Sequence, residues 1–452
     1  MTDHIHRQRT APPYAGPGLI ALLALACGVA VGNVYFPQAV SPLVATGLGV
    51  SPGTAASVVT ATQFGYAAGI FLLVPLGDRL APRRLIAALL TLTGLGLLAA
   101  SVARSLMPLA AASVLVGLTT VIAPFAGPLA AGLVPEERRG VVGGTLLSGS
   151  LAGMLLSRTA GGALGDWLGW RAPYVLAAAL SLTVAALLAR TLPTTAPPSA
   201  ERYPALLAAP LRLLRTEPEL RRSCVYQATV FAGFSAVWTG VAFLLTGPSY
   251  GMSTRAVGLL ALVNGATMLC TPLAGRLVDR RGPDPVSLVC LLAVGASALV
   301  LAFAGLGGGP GLVALVAGTL LLDIGMQSAM VANQVRIYAL GADVRSRLNT
   351  AYMTCTYLGG TLGSWLGTQA YDGFGWPGVC ALVATLAAVA LTRHMSRGAA
   401  GGSGRPGAGR RSAEPGRPIQ GDHHHRRRPE HLGPGPGRER IVRGTVARRH
   451  PR

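Results

Sequence analysis

Residues 18–40 read GLIALLALACGVAVGNVYFPQAV. The stretch is long enough to cross a hydrocarbon core of ~30 Å as a helix. It holds no charged side chain. Its apolar residues do not alternate with polar ones, so a strand of a membrane barrel is excluded. It is also too long for the apolar region of a secretory signal. Residues 11–17 separate it from the early charges Arg7 and Arg9, which predicts a retained span rather than a cleaved leader.

Eleven similar runs follow, at 54–76, 85–103, 107–133, 141–163, 172–190, 223–246, 255–275, 286–305, 311–333, 348–370 and 376–394. Gly and Pro inside them are normal for membrane helices. The whole composition agrees. Of 452 residues 51% are hydrophobic and 12% charged, against about 25% charged in a soluble domain. Mean hydropathy is +0.50. A water-soluble globule could not cover that much apolar surface. The fold class expected is an all-α integral membrane protein of twelve spans.

The net charge of +21 divides unevenly. All 38 basic residues are Arg, and 14 of them lie in residues 395–452 beside Glu414, Asp422, Glu430 and Glu439. The charge therefore reads as a basic extension drawn to an anionic inner leaflet, not as a nucleic-acid site. His423–His425 beside Arg426–Arg428 lacks a second ligand cluster and predicts no metal site. Cys27, Cys224, Cys270, Cys290, Cys355 and Cys380 all fall in apolar runs without a CxxC pair, so neither zinc nor a disulfide framework is expected.

Arg also sets the orientation. With the N-terminus inside, the cytoplasmic segments before the tail hold 19 Arg, and the opposite face holds only Arg104, Arg171 and Arg255. The positive-inside rule then puts both termini in the cytoplasm, with the chain threaded many times through the membrane. The expected organisation is a cytoplasmic segment 1–17, a six-helix bundle 18–190, a cytoplasmic loop 191–222, a second six-helix bundle 223–394 and a disordered tail 395–452. Within the loop, residues 203–214 read as an amphipathic helix on the inner membrane surface.

The two halves repeat. Asp78-Arg79 matches Asp279-Arg280 at an offset of 201, Arg138 matches Arg345 at 207, and Gly169-Trp170 matches Gly375-Trp376 at 206. Two sets of six spans in the same orientation are the parallel repeat of secondary transporters, which bind substrate between the halves.

The segment GRLVDRRG, Gly275–Gly282, resembles the loop signature of the major facilitator superfamily, G-x-L-x-D-R-x-G-R-R. The first-half copy, VPLGDRLAPRR at 74–84, is a degraded version with Val74, Ala81 and Pro82 at signature positions. The runs Ser148-Gly149…Arg158-Thr159 and Arg336…Arg345–Thr350 are similar to a bacterial efflux branch of that superfamily, of the arabinose-efflux-like or drug–proton antiporter kind. The resemblance covers residues 18–394. It departs from the antiporter pattern twice: the span-four Arg position is Ser113, and Gly149 is followed by Ser150. It implies two pseudo-symmetric six-helix bundles, alternating access, and a monomer. It also implies gating loops in which Asp78 and Asp279, with Arg79, Arg280, Gly275 and Gly282, act as latches that pair with basic groups and cap a helix N-terminus.

Only Arg158 and Asp323 place a charge well inside a span. An embedded charge costs at least about 2.5–3.5 kcal/mol on insertion scales, so such residues are paired, functional or both. The resemblance puts spans five and ten across the interface between halves, and the two charges are expected to pair in one conformation and separate in the other. Asp323 is the candidate proton-coupling group. Asn33, Tyr35, Gln38, Gln63, Tyr66, Gln227, Asn264, Gln327, Asn349 and Tyr352, with Trp238 and Tyr357, mark a substrate cavity of mixed polarity. Gln327 follows Asp323 by one turn on the same face. No nucleophile–base constellation and no Walker motif is present, so no enzyme, no ATP drive and no cofactor is expected. The partners expected are protons, a small organic solute and the lipid bilayer. The function expected is proton-coupled efflux. The same fold admits uptake by symport, and a membrane sensor that does not transport.

Overall fold

Proline opens the long helices. Pro17, Pro52, Pro82, Pro218 and Pro283 each occupy the first turn of a helix, where the missing N–H costs nothing. The computed structural model describes residues 16–194, 201–341 and 344–402, and among these every regular element is helical. The expected tail, with its His and Arg runs, and the segment carrying Arg7 and Arg9 lie outside the described residues.

The first half contains α1 (Pro17–Leu48), α2 (Pro52–Leu73), α3 (Pro82–Ser101), α4 (Leu106–Thr119), α5 (Ala123–Gly132), α6 (Arg139–Leu168) and α7 (Arg171–Thr191). After the connecting helix α8 (Tyr203–Thr216) come α9 (Pro218–Thr246), α10 (Thr254–Asn264), α11 (Cys270–Arg281), α12 (Pro283–Ala302), α13 (Gly308–Tyr338) and α14 (Arg345–Gly402). Among the described residues eleven helical stretches are long and apolar enough to span a membrane. The last of them is two helices joined at Gly375, whose φ of 64° and ψ of −157° break the helical path. The helices able to cross therefore number twelve among the described residues, as the sequence predicts.

Two expected spans are each broken in the middle. The fourth consists of α4 and α5, which part at residues 120–122 because Pro124 has no N–H to continue the ladder. The Thr120 hydroxyl, freed there, donates to Ala30 O of α1 at 2.9 Å. The eighth consists of α10 and α11, joined by a tighter 3-10 turn at Gly265–Leu269.

Packing is pairwise and close. In the first half α1 lies on α6, α2 on α4 and α3 on α7; in the second, α13 lies on α9 and α12. On α14, Gly359, Gly363 and Gly367 recur every fourth residue and face Ala228, Ala232 and Ala236 of α9. A Cβ at any of the three would collide with that backbone or its alanines. Membrane helices gain little from excluding lipid, so small residues that let backbones touch supply the dispersion contact. Outward from the seams, Leu92, Leu156, Leu180, Leu299 and Leu362 stay exposed, the arrangement an apolar solvent demands.

The helix α9 sits deepest: 89% of its most apolar stretch is buried, against 17% for that of α6 and its lead-in. It touches α1 and α2, and α6 touches α10, so these pairs join the two halves. A side chain on the inner face of α9 is therefore shared by both.

Candidate functional site

Arg158 of α6 is fully buried. Its Nε and Nη2 donate to Gln38 Oε1 of α1 at 3.0 and 2.7 Å. Three rings surround the guanidinium. Its central carbon lies 4.1 Å from the centre of Trp238, 4.9 Å from Tyr35 and 5.5 Å from Phe234. A desolvated cation–π contact contributes about 2 kcal/mol, and a hydrogen bond from a charged group about 1.5–3 kcal/mol. Together they offset an insertion cost of about 2.5–3.5 kcal/mol. Arg158 is thus stabilised without a counter-ion.

Asp323 of α13 is equally enclosed, and its Oδ1 accepts from Trp238 Nε1 at 3.1 Å. The expected direct pair is absent here: among the described residues no ion pair joins Arg158 to Asp323. The Trp238 indole touches both, offering its face to the cation and its N–H to the carboxylate. Opposite charges on opposite halves therefore share one ring from the central helix α9.

The aromatic lining continues from this ring. The Tyr35 and Tyr357 hydroxyls are 3.3 Å apart, and Tyr357 meets Tyr66 edge-on at 4.4 Å and Phe231 at 5.0 Å between centroids. Gln63 of α2 accepts from Ser235 of α9 at 3.3 Å. Tyr35, Gln38 and Phe234 thus touch Arg158 directly, while Tyr66 and Phe231 extend the lining through Tyr357 and Gln63 joins α9 at Ser235; Phe231, Phe234 and Ser235 were not singled out by the sequence reading.

The other predicted cavity residues go elsewhere. Asn33 spends its amide N–H groups on Thr120, at the α4–α5 break, and on Ser181, at 3.3 and 3.2 Å. Asn264 donates to Leu260 O and Thr319. Gln327 shares a face with Asp323 but turns to the α10–α11 break, donating to Thr267 at 2.8 Å and accepting from Thr271 at 3.3 Å. Gln227 accepts from Asn333 at 3.3 Å, Tyr338 donates to Asn349 at 3.0 Å, and Tyr352 is buried with Leu220 and Ile337.

A second embedded cation escaped the sequence reading, which placed Arg336 among the loop charges. Arg336 is buried at the end of α13. It donates to Asn333 at 2.6 Å and pairs with Asp284 at 2.8 Å, while Arg222 pairs with Asp284 at 2.7 Å and Glu219 at 3.4 Å. The signal available was its position one turn after the amide of Asn333.

The two loop copies differ. Asp78 ends a 3-10 turn, Val74–Asp78, and faces a small cleft shared with Ser346 and Arg347 in the first turn of α14. Arg79 is exposed. In the second copy Asp279 and Arg280 are both exposed, Gly275 has open space around it, and Gly282 takes the left-handed φ of 80° that ends α11. At the opposite end of the bundle, α6 and α10 are joined by Arg255–Asp166 at 2.8 Å, Thr254 to Gly162 O at 3.0 Å and Thr159 to Gly258 O at 2.9 Å.

Twelve apolar helices, with buried opposite charges sharing one ring at the seam between two sets of six, mark a multi-pass membrane protein. The chain belongs to the Major Facilitator Superfamily, whose sequence pattern matches residues 21–268 and 225–429. It is 36% identical over 375 residues to the putative uncharacterized transporter YgaY of Escherichia coli strain K12, covering 83% of this chain and 94% of that one. It is 33% identical over 383 residues to the probable transporter SCO4007 of Streptomyces coelicolor, covering 83% and 87%. A chloramphenicol resistance protein of Streptomyces lividans is 30% identical over 286 residues, covering 62% and 72%. Among solved structures, the nucleoside transporter NupG superposes with a TM-score of 0.68 at 13% identity, covering 83% of this chain and 98% of that one. A peptide transporter, POT, in complex with sulfate superposes at 0.66 and 16%, covering 87% and 97%. At that identity the likeness is one of fold.

Proposed function

We propose that the protein is a proton-coupled exporter of a small organic solute, working by alternating access. One observation carries the reading: Arg158 and Asp323 are buried, oppositely charged, on opposite halves, and both in contact with a single indole. Protonating Asp323 removes its attraction for Arg158 and weakens its hold on Trp238. Deprotonating it restores both. A proton arriving at Asp323 thus changes the force across the very seam that must open and close. Arg158 tolerates either state, because Gln38 and three rings hold it independently. Tyr35, Gln38, Gln63 and Tyr66 line the solute site in this reading, and Asp78 and Asp279 serve the gates.

The relative named for chloramphenicol resistance supports export of an organic compound. In the same proposal the chain acts as a monomer in a bacterial cytoplasmic membrane with both termini inside, and the domains divide at 190 and 223, which agrees with the Arg asymmetry of its loops.

The test is substrate-driven proton movement in inside-out vesicles, with sugars, amino acids and lipophilic drugs as solutes and Asp323→Asn beside the wild type. The expected result is proton release from acidified vesicles with at least one solute and none in the variant. Full coupled transport by Asp323→Asn removes Asp323 from the mechanism. Proton entry together with the solute reverses the direction to uptake. A well-folded protein that moves nothing across the panel favours a sensor.

A further inference from the structure

We infer that the ring-lined junction binds the carboxylate of a flat, unsaturated organic acid, held by Arg158, Gln38 and Gln63. This names the solute class of the transporter proposed above and rests on that reading.

The argument starts from what the buried groups lack. Arg158 Nη1, Gln38 Nε2 and Gln63 Nε2 are buried and have no hydrogen-bond partner. All three are donors. Leaving one such group unmade costs about 1–3 kcal/mol, more where it is charged, so the adjacent pair on Arg158 and Gln38, with Gln63 further along the same seam beside Ser235, is expensive unless something satisfies it in the working cycle. The orientation of Gln38 is forced: its oxygen faces the Arg158 N–H groups, so its free atoms must be N–H. Among the buried amide side chains of the described residues an unpartnered oxygen occurs only in Asn264, which belongs to the α10–α13 contact with Thr319.

Three donors, one of them on a guanidinium, match an acceptor-only group, and a carboxylate satisfies all of them. A neutral amide brings its own N–H against one donor, and an ammonium brings only donors. The aromatic faces beside Arg158, continued by the Tyr357 cluster, favour a flat body that can lie against a ring. The bound carboxylate and Asp323 then compete for one guanidinium, so solute and ionised Asp323 oppose each other at a shared cation.

The experiment uses the purified full chain and reads thermal stabilisation. The probes are benzoate, salicylate and indole-3-acetate, their three amides, and benzylammonium. The carboxylates are expected to raise the melting temperature saturably, the amides and the ammonium not. Arg158→Gln should abolish the effect. Because that variant risks folding poorly, Gln38→Glu is the second arm. It sets an internal carboxylate on Arg158, keeps the fold, and should weaken carboxylate binding by about tenfold or more. Binding of the ammonium or the amides as tight as that of the carboxylates overturns the inference, as does failure of every carboxylate, or unchanged binding in a folded Gln38→Glu protein. Carboxylate binding without proton movement in vesicles supports the inference and sinks the coupling. Proton movement driven only by a neutral or cationic solute keeps the transporter reading and overturns the carboxylate site.

Discussion

Trp238 does two jobs with one ring, and substitution can separate them. Trp238→Phe keeps an aromatic face beside Arg158 but removes the N–H that Asp323 accepts. Trp238→Leu removes both. The Phe variant is expected to accumulate as folded protein while losing about tenfold or more of solute-driven proton flux, since a hydrogen bond to a charged group contributes about 1.5–3 kcal/mol. The Leu variant is expected to lose flux and melting temperature together, because Arg158 gives up a stacking face worth about 2 kcal/mol. Equal melting temperatures for the two would show that the stack does not anchor the cation. At this scale the sequence was legible only where a residue is out of place. A charge inside an apolar run announces itself, so Arg158 and Asp323 could be named. An aromatic in such a run does not, so Trp238 could be placed in its span but not against both charges. Gln38 and Arg158 are 120 positions apart, and only the close packing of α1 on α6 brings them together.

At the scale of elements, the contact between α6 and α10 is a zipper at the end where loop Arg is scarce. Its most visible part, Arg255–Asp166, is half solvated, and exposed ion pairs contribute only about 0–1 kcal/mol. The hold comes instead from backbones brought close by glycine. A Cβ at Gly258 would lie 2.8 Å from Thr159 Cα, and one at Gly162 would lie 2.5 Å from Thr254 O. Gly258→Val must therefore push the helices apart, at a cost of about 1–3 kcal/mol. A cysteine at position 254 should then react with a membrane-impermeant maleimide roughly tenfold faster in Gly258→Val, while Asp166→Asn changes the rate by about fivefold at most. A larger effect from Asp166→Asn than from Gly258→Val would make the ion pair the lock. The spans themselves were legible from hydropathy, but their interruptions were not. Proline is common in membrane helices, so Pro124 alone could not announce the α4–α5 break. The 3-10 turn at Gly265–Leu269 has no proline at all, and its polar neighbours Thr267 and Gln327 find each other only in three dimensions.

Across the whole molecule, the repeated halves are not used alike. The offset of about 200 residues predicts two equivalent Asp-Arg latches, and the sequence can go no further, because which copy engages depends on conformation. Here Asp78 faces the first turn of α14 across a small cleft, within electrostatic reach of Arg347, whose guanidinium is itself paired with Glu201 at 2.8 Å; a carboxylate there suits the positive end of the helix. Asp279 is exposed, and the same end of the second half is braced instead by Arg336, Arg222, Asp284 and Glu219. Because Arg336 is buried and Asp284 is partly solvated, Arg336→Ala should cost stability rather than gating, about 1–3 kcal/mol, read as a lower melting temperature.

The latch is a different matter, because Asp78 lies in the first half and Arg347 in the second. Opening that end of the molecule must separate them. Asp78→Asn should therefore shift the balance toward the state open at that end and slow transport, and Arg347→Gln should do the same. The double variant should be little worse than either single one, giving a coupling energy above about 0.5 kcal/mol in a double-mutant cycle on transport rate. Asp279→Asn, at an exposed position, should change the rate less. Additive effects of Asp78 and Arg347 would dissolve the latch and leave both as topology-setting charges, for which the Arg asymmetry of the loops is explanation enough.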